Sequence, residues 1–236
     1  MKVFYDLHLH SCLSPCGSED MTPNNIVNMS KLLGLQMIAL TDHNTTKNCE
    51  ATIKAGEKVG IYVIPGMELT TSEDIHVVCL FKDSDSASKF NDYVSEHLFH
   101  IKNKSEIYGR QVVMNENDEE ISEIEDLLIM ATDISIMNVK KIVNSFGGIA
   151  YPAHIDRDSM SILSVLSDFP KECEFKSYEV SYDSDNNELI NKYEILKNLK
   201  MVRSSDAHYL EHMKDKNYYF ELEDISFDNL KKYLEN

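Results

Sequence analysis

The densest chemistry in this chain lies in Asp6-Leu7-His8-Leu9-His10. In an extended segment side chains alternate faces, so the spacing sets Asp6, His8 and His10 on one side and Leu7 and Leu9 on the other. Two imidazoles so placed can share a metal ion, and an aspartate on the same face would hold a histidine tautomer from behind. Related groups close other short apolar runs: Thr41-Asp42-His43, Gly66-Met67-Glu68, Ala153-His154 and Ser205-Asp206-Ala207-His208, while His76 opens one. Six histidines with Glu68, Asp206 and neighbouring carboxylates are too many for one metal. They suit two or three divalent ions, zinc, manganese or iron, sharing a bridging carboxylate. Such a cluster activates a water and clamps a phosphoryl group.

These residues need a frame that brings strand ends together. Thr22 as N-cap and Pro23 at the first helical position open a helix that closes at Gly34. The pattern then predicts a strand over 35–40, a helix over 49–59, strands over 61–68 and 75–81, and a helix over 85–100. Residues 101–134 change character and are expected to form an insertion, with a hairpin over 109–120 and a helix over 122–131. Beyond it the pattern predicts helix 135–146, strand 149–154, helix 159–167, strand 177–182, helix 186–198, strand 200–205, an extended segment over 217–222 and helix 226–234. This alternation predicts a single α/β domain over 1–236 with a mainly parallel sheet. Polar residues at C-terminal strand ends favour a (βα) barrel over an open sheet.

Composition narrows the function. The net charge of −17 is the wrong sign for broad contact with a nucleic-acid backbone, so an extended nucleic-acid partner is not expected. No apolar run is long enough to span a bilayer, and the motif begins too close to Met1 to leave room for a secretory leader. Five cysteines without a CxxC pair fit reduced thiols in a cytoplasm. Cys12, Cys49, Cys79 and Cys173 are expected to be packing residues. His97 and His100, spaced i, i+3 but away from any carboxylate-bearing strand end, are given a structural role.

Taken in order, Asp6-x-His8-x-His10, Thr41-Asp42-His43, Gly66-Met67-Glu68, His76, Ala153-His154 and Ser205-Asp206-Ala207-His208 resemble the signatures of the PHP (polymerase and histidinol phosphatase) superfamily. The resemblance runs through essentially the whole chain. It implies a distorted, seven-stranded TIM-like barrel with a trinuclear centre. By that resemblance His8, His10, Glu68 and Asp206 hold a first metal, Glu68, His76 and His154 a second, and His43 and His208 a third. Relatives commonly complete the third position with another histidine after the first motif, where this chain offers Cys16, with Glu19 or Asp20 as substitutes. A thiolate there is a good ligand for zinc or iron. Asp6 and Asp42 stand behind the ligands.

The expected activity is metal-dependent hydrolysis of a small phosphorylated metabolite or nucleotide. Glu68, Asp206 and His208 are the catalytic groups, one of the neighbouring His or Asp side chains protonating the leaving alkoxide. Of three arginines, Arg157 follows His154 by three residues and is the expected phosphate clamp, with Arg110 as a weaker candidate reaching over from the insertion. Arg203, within a strand, is expected to face away. The competing readings are an exonuclease-type phosphodiesterase and a noncatalytic metal-holding interaction module.

Overall fold

The computed structural model describes all 236 residues. Ten strands are formed: β1 (Lys2–Leu9), β2 (Met37–Leu40), β3 (Tyr62–Thr70), β4 (His76–Leu80), β5 (Val112–Met114), β6 (Glu120–Glu123), β7 (Ile149–Pro152), β8 (Ser177–Ser181), β9 (Lys200–Ser204) and β10 (Tyr219–Glu221). Six of them make one sheet in the order β10-β1-β2-β3-β4-β7, while β5-β6 and β8-β9 pair separately. The sheet curls, and the β8-β9 pair spans its open side. The Ile155 N–H just past β7 donates to the Glu179 carbonyl of β8 at 2.8 Å, and the His10 N–H just past β1 donates to Ala207 beyond β9 at 3.0 Å.

Helices α1 (Pro23–Leu32), α2 (Cys49–Val59), α3 (Ser84–His97), α4 (Ser105–Tyr108), α5 (Ile136–Ser145), α6 (Ile162–Leu166), α7 (Asn187–Lys192) and α8 (Phe227–Glu235) complete the chain. Thr22 caps α1 by accepting the Asn25 N–H, with Pro23 at the helix start. Gly60, at φ +81°, ends α2 in the left-handed region that a glycine enters freely. Ile26, Val27 and Ala55 of α1 and α2 pack with Ile38 and Leu40 of β2. Leu230 and Leu234 of α8 pack on Val3, Ala39 and Val202.

Three departures from the sequence pattern bear on the site. First, the sheet is not all parallel. β4 runs antiparallel to both β3 and β7, so His76, at the start of its strand, arrives at the rim where the other strands end. Second, alternation fails in β1, where the β1-β2 register shifts between Asp6 and Leu9. Leu7 therefore packs with Val3 and Tyr5, whereas Leu9 joins Ile38 under α1 and α2. Third, the helix expected over 122–131 does not form. Residues 120–123 are a strand and the following backbone is held by side chains: Gln111 accepts the Leu128 N–H and donates to the Ile124 and Asp126 carbonyls, and Asn44 donates to the Leu128 and Met130 carbonyls. The helices expected over 159–167 and 186–198 are also shorter, the latter being α7 followed by a 3₁₀ turn at Glu194–Asn198.

The hairpin β5-β6 packs beside the loop after β1. The Val112 N–H donates to the Cys12 carbonyl at 3.1 Å. Gly109, at φ +94°, passes so near Pro15 that a Cβ would stand 2.3 Å from its carbonyl oxygen. No helix is long and apolar enough to cross a membrane.

Candidate metal centre

Strand ends bring His8, His10, His43, Glu68, His76, His154, Asp206 and His208 to one place. Glu68, 1% exposed, lies at the middle. Its Oε1 stands 2.9 Å from His76 Nδ1, 3.1 Å from His154 Nε2 and 3.3 Å from His8 Nε2, and its Oε2 stands 2.9 Å from His43 Nδ1 and 3.3 Å from His10 Nε2. Asp206 Oδ1 lies 3.0 Å from His10 Nε2 and 3.3 Å from His8 Nε2. Three overlapping donor sets result: His8, His10, Glu68 and Asp206; His43, Glu68 and His76; and His10, His43 and His208. His43 thus borders two sets, and His154 touches the centre through Glu68. His154 and Asp206 sit at φ +28° and +51°, in the sparsely populated region where non-glycine residues are strained and functional sites concentrate.

The tautomers make this donor set fit cations. His8 Nδ1–H donates to Glu179 Oε1 at 2.8 Å, and His10 Nδ1–H donates to Ser14 Oγ at 2.9 Å. Ser14 in turn donates to Asp42 Oδ1 at 2.7 Å. With Nδ1 so engaged, a neutral imidazole presents a lone pair at Nε2. The two Nε2 atoms are 3.1 Å apart and share one carboxylate oxygen, Asp206 Oδ1, an arrangement that needs positive charge among them. Donors around a four-coordinate ion with bonds of about 2.0 Å stand roughly 3.3 Å from one another, close to the separations here. Glu68 Oε2, Asp206 Oδ1 and His43 Nδ1 are buried without an aligned hydrogen bond despite their near neighbours, as expected of donors aimed at a common point.

Protonation follows the same logic. Burial opposes charge on His10, but Asp206 and Glu68 outweigh it and raise its pKa to about 9. Burial likewise opposes charge on His43, which Glu68 and the adjacent Cys16 thiol lift to about 9. Glu68 and Asp206, although buried, are held well below the usual carboxylate range by the surrounding imidazoles. His208 is pushed down to about 3 by burial and by the charge of His10. It therefore enters as a neutral donor.

The remaining expectations sort by placement. Asp6 is buried, which raises its carboxyl to about 7. It touches no imidazole and instead accepts the backbone N–H groups of His8 and Ser205, at 3.3 and 3.1 Å. Asp42 also meets no ring directly and acts through Ser11 and Ser14. Cys16 is exposed and lies beside His43, outside all three donor sets. Glu19 and Asp20 join none of them either. Arg110 corrects the expectation of a second clamp: its guanidinium is taken up by Glu120 and Glu123. Arg203 is occupied by the carbonyls of Ser181, Tyr182 and Ser184 and by Asn186. Arg157 is different. One nitrogen meets Asp206 Oδ2 at 2.6 Å, the side chain is 43% exposed, and its other N–H groups have no protein acceptor.

Glu179 escaped the sequence reading. It is 1% exposed, and its Oε1 accepts both His8 Nδ1–H and, at 3.1 Å, the backbone N–H of His154. A single carboxylate in the middle of an otherwise apolar strand, Tyr178-Glu179-Val180, was the available signal.

A family model, the PHP domain, matches residues 6–225, which include every one of these groups. The chain belongs to the PHP domain family. Among curated relatives, an uncharacterized protein of Methanocaldococcus jannaschii is 32% identical and a 5'-3' exoribonuclease of Haemophilus influenzae 34% identical. Each matches 34% of this chain, over 51% and 29% of its own length. The matched segments thus span about half or less of those relatives. In structure, a lesion-specific endonuclease from Pyrococcus furiosus superimposes with a TM-score of 0.71 at 17% identity, over 100% of this chain and 56% of the endonuclease. A putative metal-dependent phosphoesterase from Bifidobacterium adolescentis gives 0.61 at 17% identity, over 98% of this PHP chain and 94% of that one. At these identities the structural likeness speaks for the fold.

Proposed function

We propose that this PHP domain is a metal-dependent phosphoesterase that acts on a small phosphorylated compound, with His8, His10, His43, Glu68, His76, His154, Asp206 and His208 as metal donors and Arg157 as phosphate clamp. The observation that carries this reading is Arg157. Of three arginines it alone keeps most of its guanidinium free of a protein acceptor, one nitrogen being held by Asp206 at the edge of the donor cluster. Divalent ions held there would supply Lewis-acid charge that activates water and neutralises phosphoryl oxygens. The chain's own residues do the rest. Glu179 and the Asp42–Ser14 pair fix the His8 and His10 tautomers, and Asp206 aims the Arg157 fork, which grips two phosphate oxygens at once.

A second reading, hydrolysis at a nucleic-acid end, is favoured by the 5'-3' exoribonuclease among the relatives. The net charge of −17 weighs against a long strand. The test is metal analysis with phosphate release by the metal-loaded protein, compared with Arg157→Ala and Arg157→Lys. Two to three ions per chain are expected, with KM raised by about tenfold or more in the alanine variant and partly restored in the lysine variant, metal content unchanged. Less than one ion per chain, or no release from any phosphate ester, would overturn the reading.

A further inference from the structure

The cleft beside the cluster has walls suited to one kind of substrate body. It holds about 490 Å³, and Arg157 and Asp206 form its inner end. Of its eleven lining residues only Tyr182 is hydrophobic. That ring is already engaged, edge-on against Tyr218, and its hydroxyl donates to the Asp215 carbonyl. The other ring in the lining, His212, is met edge-on by Tyr209, so a nucleobase or other flat apolar group finds little apolar wall there.

The polar lining is better equipped. The Ser181 and Ser184 hydroxyls, one oxygen of Asp156 and the Glu211 carboxylate line the cleft and retain their hydrogen-bonding capacity. Asp156 and the two serines are also fixed in place. Asp156 Oδ1 accepts the Ser181 N–H at 2.9 Å, and buried Arg203 donates to the carbonyls of Ser181, Tyr182 and Ser184 from behind. The one lysine in the cleft, Lys214, is paired with Asp183 at 2.8 Å. Carboxylates free of partners repel a second phosphate, as in a polynucleotide strand, and accept hydrogen bonds from hydroxyl groups.

We infer that the alcohol half of the substrate is hydroxyl-rich, so that the substrate class is a sugar phosphate. Asp156, Glu211, Ser181 and Ser184 read its hydroxyls while its phosphate reaches Arg157 and the cluster. The oxygen of water bonds to phosphorus as the phosphorus–oxygen bond to the sugar breaks, and the departing alkoxide takes a proton, releasing inorganic phosphate and the free sugar. This inference rests on the phosphoesterase reading above.

The experiment uses the full chain loaded with manganese, its metal content measured. It compares kcat/KM for pentose and hexose phosphates, a deoxypentose phosphate, phenyl phosphate and a 5'-phosphorylated oligonucleotide. Sugar phosphates are expected to exceed phenyl phosphate by about tenfold or more, and the deoxy compound to fall between them. The Kd values of the corresponding non-hydrolysable phosphonates should follow the same order. Asp156→Asn and the exposed Glu211→Gln should each narrow the ratio. Phenyl phosphate or the oligonucleotide turned over as well as the best sugar phosphate would overturn this inference and leave the phosphoesterase reading standing. Release from none of them would overturn both.

Discussion

Carboxylates and cations meet in two regions of this molecule under opposite conditions. At the strand-end rim, Glu68 and Asp206 are 1% and 5% exposed and each faces several imidazoles. In the insertion, Glu120 and Glu123 are about half exposed and share Arg110. Charges taken out of water cost several kcal/mol each unless fully partnered, so the buried set is held against a large penalty by its surroundings. The exposed set is screened and contributes little. Burial therefore separates the two regions where residue types do not.

The largest way to break this comparison is Glu68→Gln, which removes the charge faced by five imidazoles. Metal content should fall, and phosphate release should drop on the order of 10³-fold; near-normal turnover would refute a shared carboxylate. Next is Glu179→Leu, which leaves the donor atoms in place but frees the His8 ring and the His154 backbone. Metal affinity should weaken about 10- to 100-fold in a chelator competition. Glu179→Gln, which keeps an acceptor, should recover most of it, and equal loss in both variants would assign Glu179 to folding alone.

Proton release measures the rim itself. His10 and His43, raised to about 9, carry protons near neutral pH and must lose them to bind metal. Loading at about pH 7.5 should release about two protons or more, read by calorimetry in buffers of different ionisation enthalpy, and affinity should climb as pH rises toward 9. Metal uptake without proton release would break this account. The smallest effect belongs to Arg110→Ala, expected to leave metal content and KM within about twofold of the parent, because its close partners, Glu120 and Glu123, lie in the insertion. A marked rise in KM would move the insertion into the substrate site.

What was legible in the sequence followed from spacing. His8 and His10 two residues apart, and His43, Glu68, His154 and Asp206 after apolar runs, announced both the strands and the side chains that gather at their ends. The reversal of β4 was not legible, because a short apolar strand looks the same in either direction and only its partners fix its sense. Glu179 was missed because one carboxylate in a strand has no period to detect. The expected helix after Glu120 failed for a tertiary reason: buried Gln111 and Asn44 satisfy its backbone groups in another conformation, and local pattern cannot foresee distant amides.

The reversed strand also sets an order in which the centre can assemble. Glu68 and His76 are eight positions apart in sequence and meet diagonally across the β3-β4 hairpin, whose turn is closed by Thr71 and Ile75. His8 and Asp206 are 198 positions apart. Closing the short loop costs little chain entropy and is fast, whereas the long closure waits on most of the chain. An unfinished chain emerging during synthesis would thus bring the central carboxylate and one imidazole together before its first and last strands meet.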